Sequence, residues 1–131
     1  MTFLAVALGG AVGALLRWWL GEAVPDGGGF PWTTFTINVS GSLVLALLPA
    51  FGRVRRRPAL AAGLGPGVLG GYTTLSAYSE ETRALLADDR LVTGAAYALG
   101  TLVACLVVVT VVSGFTTPVA QAAFEAEGGD E

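Results

Sequence analysis

Between Gly63 and Tyr78 the chain reads GLGPGVLGGYTTLSAY. With its flanks this stretch is apolar and long enough to cross a bilayer, yet it is badly suited to remaining one helix. Glycine stands at 63, 65, 67, 70 and 71, with Pro66 among them. Relative to alanine, each glycine weakens a helix by about 1 kcal/mol and each proline by about 3 kcal/mol. Inside hydrocarbon no water is at hand for backbone groups released by a break. A break therefore survives there only where protein buries it or where it lines a wet path. The hydroxyls of Tyr72, Thr73 and Thr74 follow at once, with Ser76 and Tyr78 just beyond. A broken segment with hydroxyls against the break is a candidate ion or substrate site. The plainer reading is that the glycines only let two helices approach closely.

Three further apolar stretches accompany this one. Residues 3–20, 31–52, 59–78 and 91–115 each suffice for a membrane helix, which needs about 20 residues. Only 13% of the 131 residues are charged, against about 25% in soluble domains. The expected fold is an all-α membrane protein with four transmembrane helices, the third broken. Residues 1–115 form one membrane domain and 116–131 an acidic tail expected to be disordered. Four helices are too thin to surround a pore, so association with a second copy or a relative is expected. The expected location is the cell (plasma or inner) membrane, crossed several times.

Composition also removes several function classes. Histidine is absent and Cys105 is the single cysteine, so there is no disulfide framework, no Cys/His metal motif and no imidazole base. An enzyme is the least expected reading. All seven basic residues are arginine, and four of them fall between Arg53 and Arg57. Such a cluster beside a span is ordinary positive-inside punctuation and gives no support to nucleic-acid binding. It weakly favours a cytoplasmic position for that loop and both termini.

Polar positions within the spans are patterned. In the first, Gly9-x-x-x-Gly13 and Gly10-x-x-x-Ala14 put small residues on one face, a pattern that lets membrane helices pack closely. Trp18 and Trp19 suit an interfacial belt. Arg17 either snorkels outward or serves as a cation near an anion's entrance. In the second, Thr34, Asn38 and Ser42 recur every four residues and share a face. Asn38 either bonds a neighbouring helix or offers a donor to a polar path. In the fourth, Tyr97, Thr101 and Cys105 repeat the spacing and drift only about 80° in total. The loop from Gly21 to Phe30 reads as a plain turn.

Three motifs resemble the CrcB/Fluc fluoride channels in order and spacing, across about residues 3–115. They are Gly9-Gly10-x-x-Gly13-Ala14-x-x-Arg17-Trp18, Asn38-x-x-Gly41-Ser42 and Gly70-Gly71-Tyr72-Thr73-Thr74-Leu75-Ser76. The resemblance implies an antiparallel (dual-topology type) dimer with two narrow fluoride pores, giving passive efflux of fluoride from the cytoplasm. It implies a structural sodium ion at the dimer centre, held by the backbone carbonyls of Gly70 and Thr73. The anion pathway it implies includes Asn38, Thr74 and Ser76, with Tyr97, Thr101 and Cys105 from the fourth helix. Leu75 and Tyr78 fall where the family carries two phenylalanines. Tyr78 keeps a positive ring edge and adds a hydroxyl, whereas Leu75 offers an anion almost nothing. Ala77 replaces a usual threonine. Glu81 matches an acidic residue at the pore mouth, with a solvated surface charge as the duller explanation.

The partners implied are fluoride, membrane lipid and a second subunit. The missing ring at Leu75 leaves both a homodimer and a heterodimer with a paralogue open. Two readings compete. A small four-helix multidrug or cation exporter needs an acidic residue deep in the membrane, and the acids here stand at or beyond the span ends. A non-conducting partner subunit of a heterodimeric channel, or a membrane scaffold, leaves the broken helix and aligned polar stripes without a use.

Overall fold

A computed structural model describes residues 2–126. Among the described residues every regular element is helical. Helix α1 spans Thr2–Ala23, and α2 spans Trp32–Leu47, entered through Pro31 and prolonged by a 3-10 turn over Leu48–Ala50. Proline suits a helix entry because its absent N–H would have had no partner there. The arginine-rich elbow contains α3 (Gly52–Arg55), anchored by the buried side chain of Val54.

The third segment is in pieces. It begins with α4 (Pro58–Ala62), widens into a π-helical stretch over Gly63–Leu69, and tightens again in α5 (Gly70–Tyr72). Pro66 lies inside the widened stretch. A proline cannot donate the i to i−4 bond and its ring presses on that carbonyl; a wider turn relieves both problems. At Thr73 and Thr74 the backbone turns extended, with φ/ψ of −74°/157° and −146°/119°. Helix α6 (Leu75–Ala87) follows, then a turn through Asp88 and Asp89, and finally α7 (Leu91–Ala126).

Three helical stretches, Thr2–Ala23, Trp32–Ala50 and Leu91–Ala120, are long and apolar enough to cross a membrane. The third segment contributes no such helix because its interruptions leave only short pieces. Helix α7 corrects the expected tail. It continues unbroken past residue 115 to Ala126. Thr116 is buried and donates its hydroxyl to the carbonyl of Ala46 at 3.0 Å. The bond from Thr116 to α2 helps hold the helix across the weakening Pro118. The remainder of the expected acidic tail, residues 127–131, lies outside the described residues.

Helix α1 packs on the third segment backbone to backbone. A methyl group at Gly9 would strike the carbonyl oxygen of Gly63 and the amide of Val68. One at Gly13 would strike the carbonyl oxygen of Val68 and the amide of Tyr72, and one at Gly71 the carbonyl oxygen of Gly10. The small-residue face of α1 thus meets the glycines of the third segment, and both glycine readings hold in part. Gly63 and Gly71 serve close approach, whereas the break itself falls two residues after Gly71. Helices α2 and α7 pack along each other on the far side of the break. Most other large side chains, among them Leu4, Leu8, Leu15, Leu99, Leu102 and Leu106, face outward, as a lipid-facing surface requires.

Candidate functional site

The break is held open by one side chain. Thr74 donates its amide to the Oδ1 of Asn38 at 2.8 Å, and the Nδ2 of Asn38 donates to the carbonyl of Thr74 at 3.1 Å. The carboxamide mimics a peptide group and satisfies both backbone groups of one extended residue. Thr74 is also the N-cap of α6, its Oγ1 accepting from the amide of Ala77 at 3.1 Å and lying 3.2 Å from the Oγ of Ser76. Hydroxyl capping of this kind replaces one of the missing helical partners.

These diversions have a consequence for specific carbonyls. In a continuing helix the amide of residue i+4 reaches the carbonyl of residue i. The amide due to Gly70 is that of Thr74, now given to Asn38. The amide due to Thr73 is that of Ala77, now given to Thr74. Two carbonyls thereby lose their helical donors to side chains. Between them in sequence, the carbonyl of Gly71 accepts from the Nε of Arg17 at 3.2 Å. Arg17, expected at a pore mouth, therefore reaches the break itself. The close α1 contact brings its guanidinium within range of a carbonyl the helix no longer uses.

Beside the break lies a cavity of about 410 Å³, lined by Asn38, Ser42, Gly70, Thr73, Thr74, Leu75, Tyr78, Thr101 and Cys105, with apolar neighbours. It gathers most of the residues that the sequence marked. Thr101 is 3% exposed, and its hydroxyl has no hydrogen-bond partner. A buried donor left unpaired in an apolar protein costs free energy, which a ligand in the cavity would recover. Leu75, by contrast, is 76% exposed at the start of α6.

Four marked residues lie outside its lining: Arg17, on the carbonyl of Gly71, and Ser76, Tyr97 and Glu81. Ser76 is engaged with Thr74 at the helix cap. Tyr97 is fully buried, at 0% exposure, and joins a second polar cluster: its hydroxyl donates to the Oε2 of Glu81 at 2.6 Å. The hydroxyl of Thr34 donates to the other carboxylate oxygen at 2.7 Å. Glu81 is thus a half-buried carboxylate bound from α2 and α7 together, which corrects the picture of a solvated surface charge. The ring of Tyr78 packs 5.5 Å from that of Tyr97. The hydroxyl of Tyr78, expected as an extra donor for an anion, is already committed to the carbonyl of Ala98 at 2.8 Å.

Thr34 was visible as part of the α2 stripe, but its partner was not. A usable signal existed: Thr34 and Asn38 sit on one face, and both find partners, Glu81 and Thr74, in the third segment and its run-out.

A helical protein crossing the membrane several times, with a mainly apolar cavity that carries a few hydroxyl and amide groups at a broken segment, has the make-up of a membrane transport protein. The family model described as CrcB-like protein, Camphor Resistance (CrcB), matches residues 4–115, and the chain belongs to that family. It is similar to the fluoride-specific ion channel FluC 1 of Streptomyces coelicolor, with 44% identity over 111 residues, covering 79% of this chain and 70% of the relative. It is also similar to the fluoride-specific ion channels FluC of Novosphingobium aromaticivorans, 43% identical over 104 residues, and Thermus thermophilus, 44% identical over 105. Each match covers 76% of this chain and 82% of the relative. These relatives are named as channels rather than enzymes. The chain is a multi-pass protein of the cell membrane.

Proposed function

We propose that this chain forms a fluoride-selective channel giving passive efflux of fluoride from the cytoplasm. The observation that carries the reading is the cavity at the break, which Asn38, Thr74 and Thr101, with its unpaired hydroxyl, line together. Fluoride is small and holds its water tightly, so only closely spaced donors can replace that shell. Conduction also demands that no site hold the ion too firmly. Amide and hydroxyl groups without a full positive charge satisfy both demands. The route runs from the cavity past the ring of Tyr78 toward Tyr97 and Glu81 at its mouth. Efflux needs no energy input: fluoride enters cells as the neutral acid, dissociates, and leaves down its gradient.

The working unit is an antiparallel dimer, with the pieces of the third segment completing the fourth crossing. A structural sodium ion fits the residues present. The carbonyls of Gly70 and Thr73 are those whose helical donors are diverted, and backbone oxygens suit a hard cation. When bound between two copies, sodium would satisfy these acceptors and join the subunits. Replacing sodium by a bulky organic cation throughout purification is expected to lower the thermal midpoint and release monomers. Unchanged behaviour without sodium would remove the ion from this account.

The direct test is fluoride efflux from liposomes containing this protein alone. Rapid, chloride-excluding flux is expected, and its absence would sink the reading for a dimer of identical chains. Supplying the vacant ring by Leu75→Phe is expected to raise flux roughly two- to tenfold, the rate equivalent of about 0.5–1.5 kcal/mol for an aromatic edge contact. If wild-type protein purifies only as a monomer, the partner is a diverged relative rather than a second copy.

A further inference from the structure

The loop between α1 and α2 ends in Phe30, a ring to which the function proposed above gives no part. Its centroid lies 4.4 Å from Trp32 and 5.7 Å from Phe35, and 5.3 Å from Tyr97 at 90°. The loop follows a fixed path. The hydroxyl of Thr33 donates to the carbonyl of Val24 at 2.6 Å, and its amide donates to Asp26 at 3.1 Å. From the residue just before α7, the Nη1 of Arg90 donates to the carbonyl of Gly28 at 2.6 Å. Gly28 has φ of 72°, a conformation that side chains with a Cβ rarely adopt.

Arg90 immediately precedes α7, and Tyr97 follows it by seven residues, close to two full turns. The residue that leads into α7 and a ring two turns along it therefore both reach the loop. A cation grips the backbone at Gly28, and a buried ring meets Phe30. Tyr97 carries the hydroxyl that binds Glu81. A tyrosine ring has two side-chain torsions, and its hydroxyl stays on a fixed carboxylate only while packing blocks the alternatives. Phe30 and Tyr78 supply that packing.

We propose that Phe30 is a positioning residue for the Tyr97–Glu81 pair, and that Arg90 sets its place by holding the loop. The loop is then part of the mouth's architecture. This rests on the reading of Glu81 as the mouth of the anion route.

The test compares Phe30→Leu, which keeps bulk but removes the ring, with Phe30→Tyr, which keeps the ring. Full-length protein is labelled with 3-fluorotyrosine, and the Tyr97 signal is identified by its loss in Tyr97→Phe. Phe30→Leu is expected to shift the Tyr97 fluorine signal, leave that of Tyr72 in place, and lower fluoride flux by up to about tenfold. Phe30→Tyr is expected to return flux to within about threefold of wild type, since an edge contact of the same kind is kept. In the Tyr97→Phe background, Phe30→Leu should lower flux no further.

An unmoved Tyr97 signal in folded Phe30→Leu protein overturns the proposal, as does a full Phe30→Leu effect without the Tyr97 hydroxyl. If wild-type protein carries no fluoride, the function proposed above fails, while the fluorine signal still decides the positioning role. Should Phe30→Leu not fold, Arg90→Gln is expected to move the Tyr97 signal in its place, and no movement counts against the proposal.

Discussion

Asn38→Leu is expected to lower the thermal midpoint sharply and to abolish fluoride flux. The side chain satisfies both backbone groups of Thr74, its amide at 2.8 Å and its carbonyl at 3.1 Å. Leucine leaves both unpaired among protein and lipid. Each buried orphan costs about 1–3 kcal/mol, so the pair costs roughly 2–6 kcal/mol. An ordinary side-chain hydrogen bond between membrane helices averages only about 0.6 kcal/mol. The size of the effect therefore separates a clamp on broken backbone from a routine interhelical contact. Asn38→Asp keeps an acceptor for the Thr74 amide while losing the donor to its carbonyl, and should fall between the two. Thermal unfolding in detergent gives the stability, and liposome efflux gives the function. An Asn38→Leu protein that melts with wild type would show that the break is held by something else.

Gly13→Ala should be at least as damaging. The added methyl would overlap the carbonyl oxygen of Val68 and the amide nitrogen of Tyr72. Both are backbone atoms, so no flexible side chain can yield. Overpacking a core commonly costs about 1–3 kcal/mol and occasionally more; this contact belongs at or above the upper end, because α1 must move away from the third segment as a whole. The same step would withdraw Arg17 from Gly71. Gly21→Ala, on the same helix, meets nothing within 4 Å. It should be neutral or gain up to about 1 kcal/mol from helix propensity. Recovery of monodisperse protein and the thermal midpoint distinguish the two. A well-folded Gly13→Ala protein would mean that the α1 contact is looser than described.

Much of the site is legible in the sequence. Glycine, proline and the Tyr72–Thr74 hydroxyls located the broken segment, because helix propensity is a local property. The spacing of Thr34, Asn38 and Ser42 gave the inward face of α2, because side-chain direction follows directly from the helical repeat. Other features were not legible. Glu81 read as a rim charge until Thr34 and Tyr97 were seen on its two oxygens. Arg17 read as a rim cation until its guanidinium was found on Gly71. Thr116 read as tail, although its hydroxyl ties α7 to α2.

By itself, then, the sequence determined that this is a helical membrane protein whose third crossing cannot remain whole, and which side of α2 carries the polar groups. Only the tertiary structure decided which side chains hold the break. The physical reason is range. Propensity and periodicity act over a few residues and are written into the local chain. The bonds from Asn38 to Thr74 and from Arg17 to Gly71 join residues 36 and 54 positions apart, and the second forms where glycines let α1 and the third segment meet backbone to backbone.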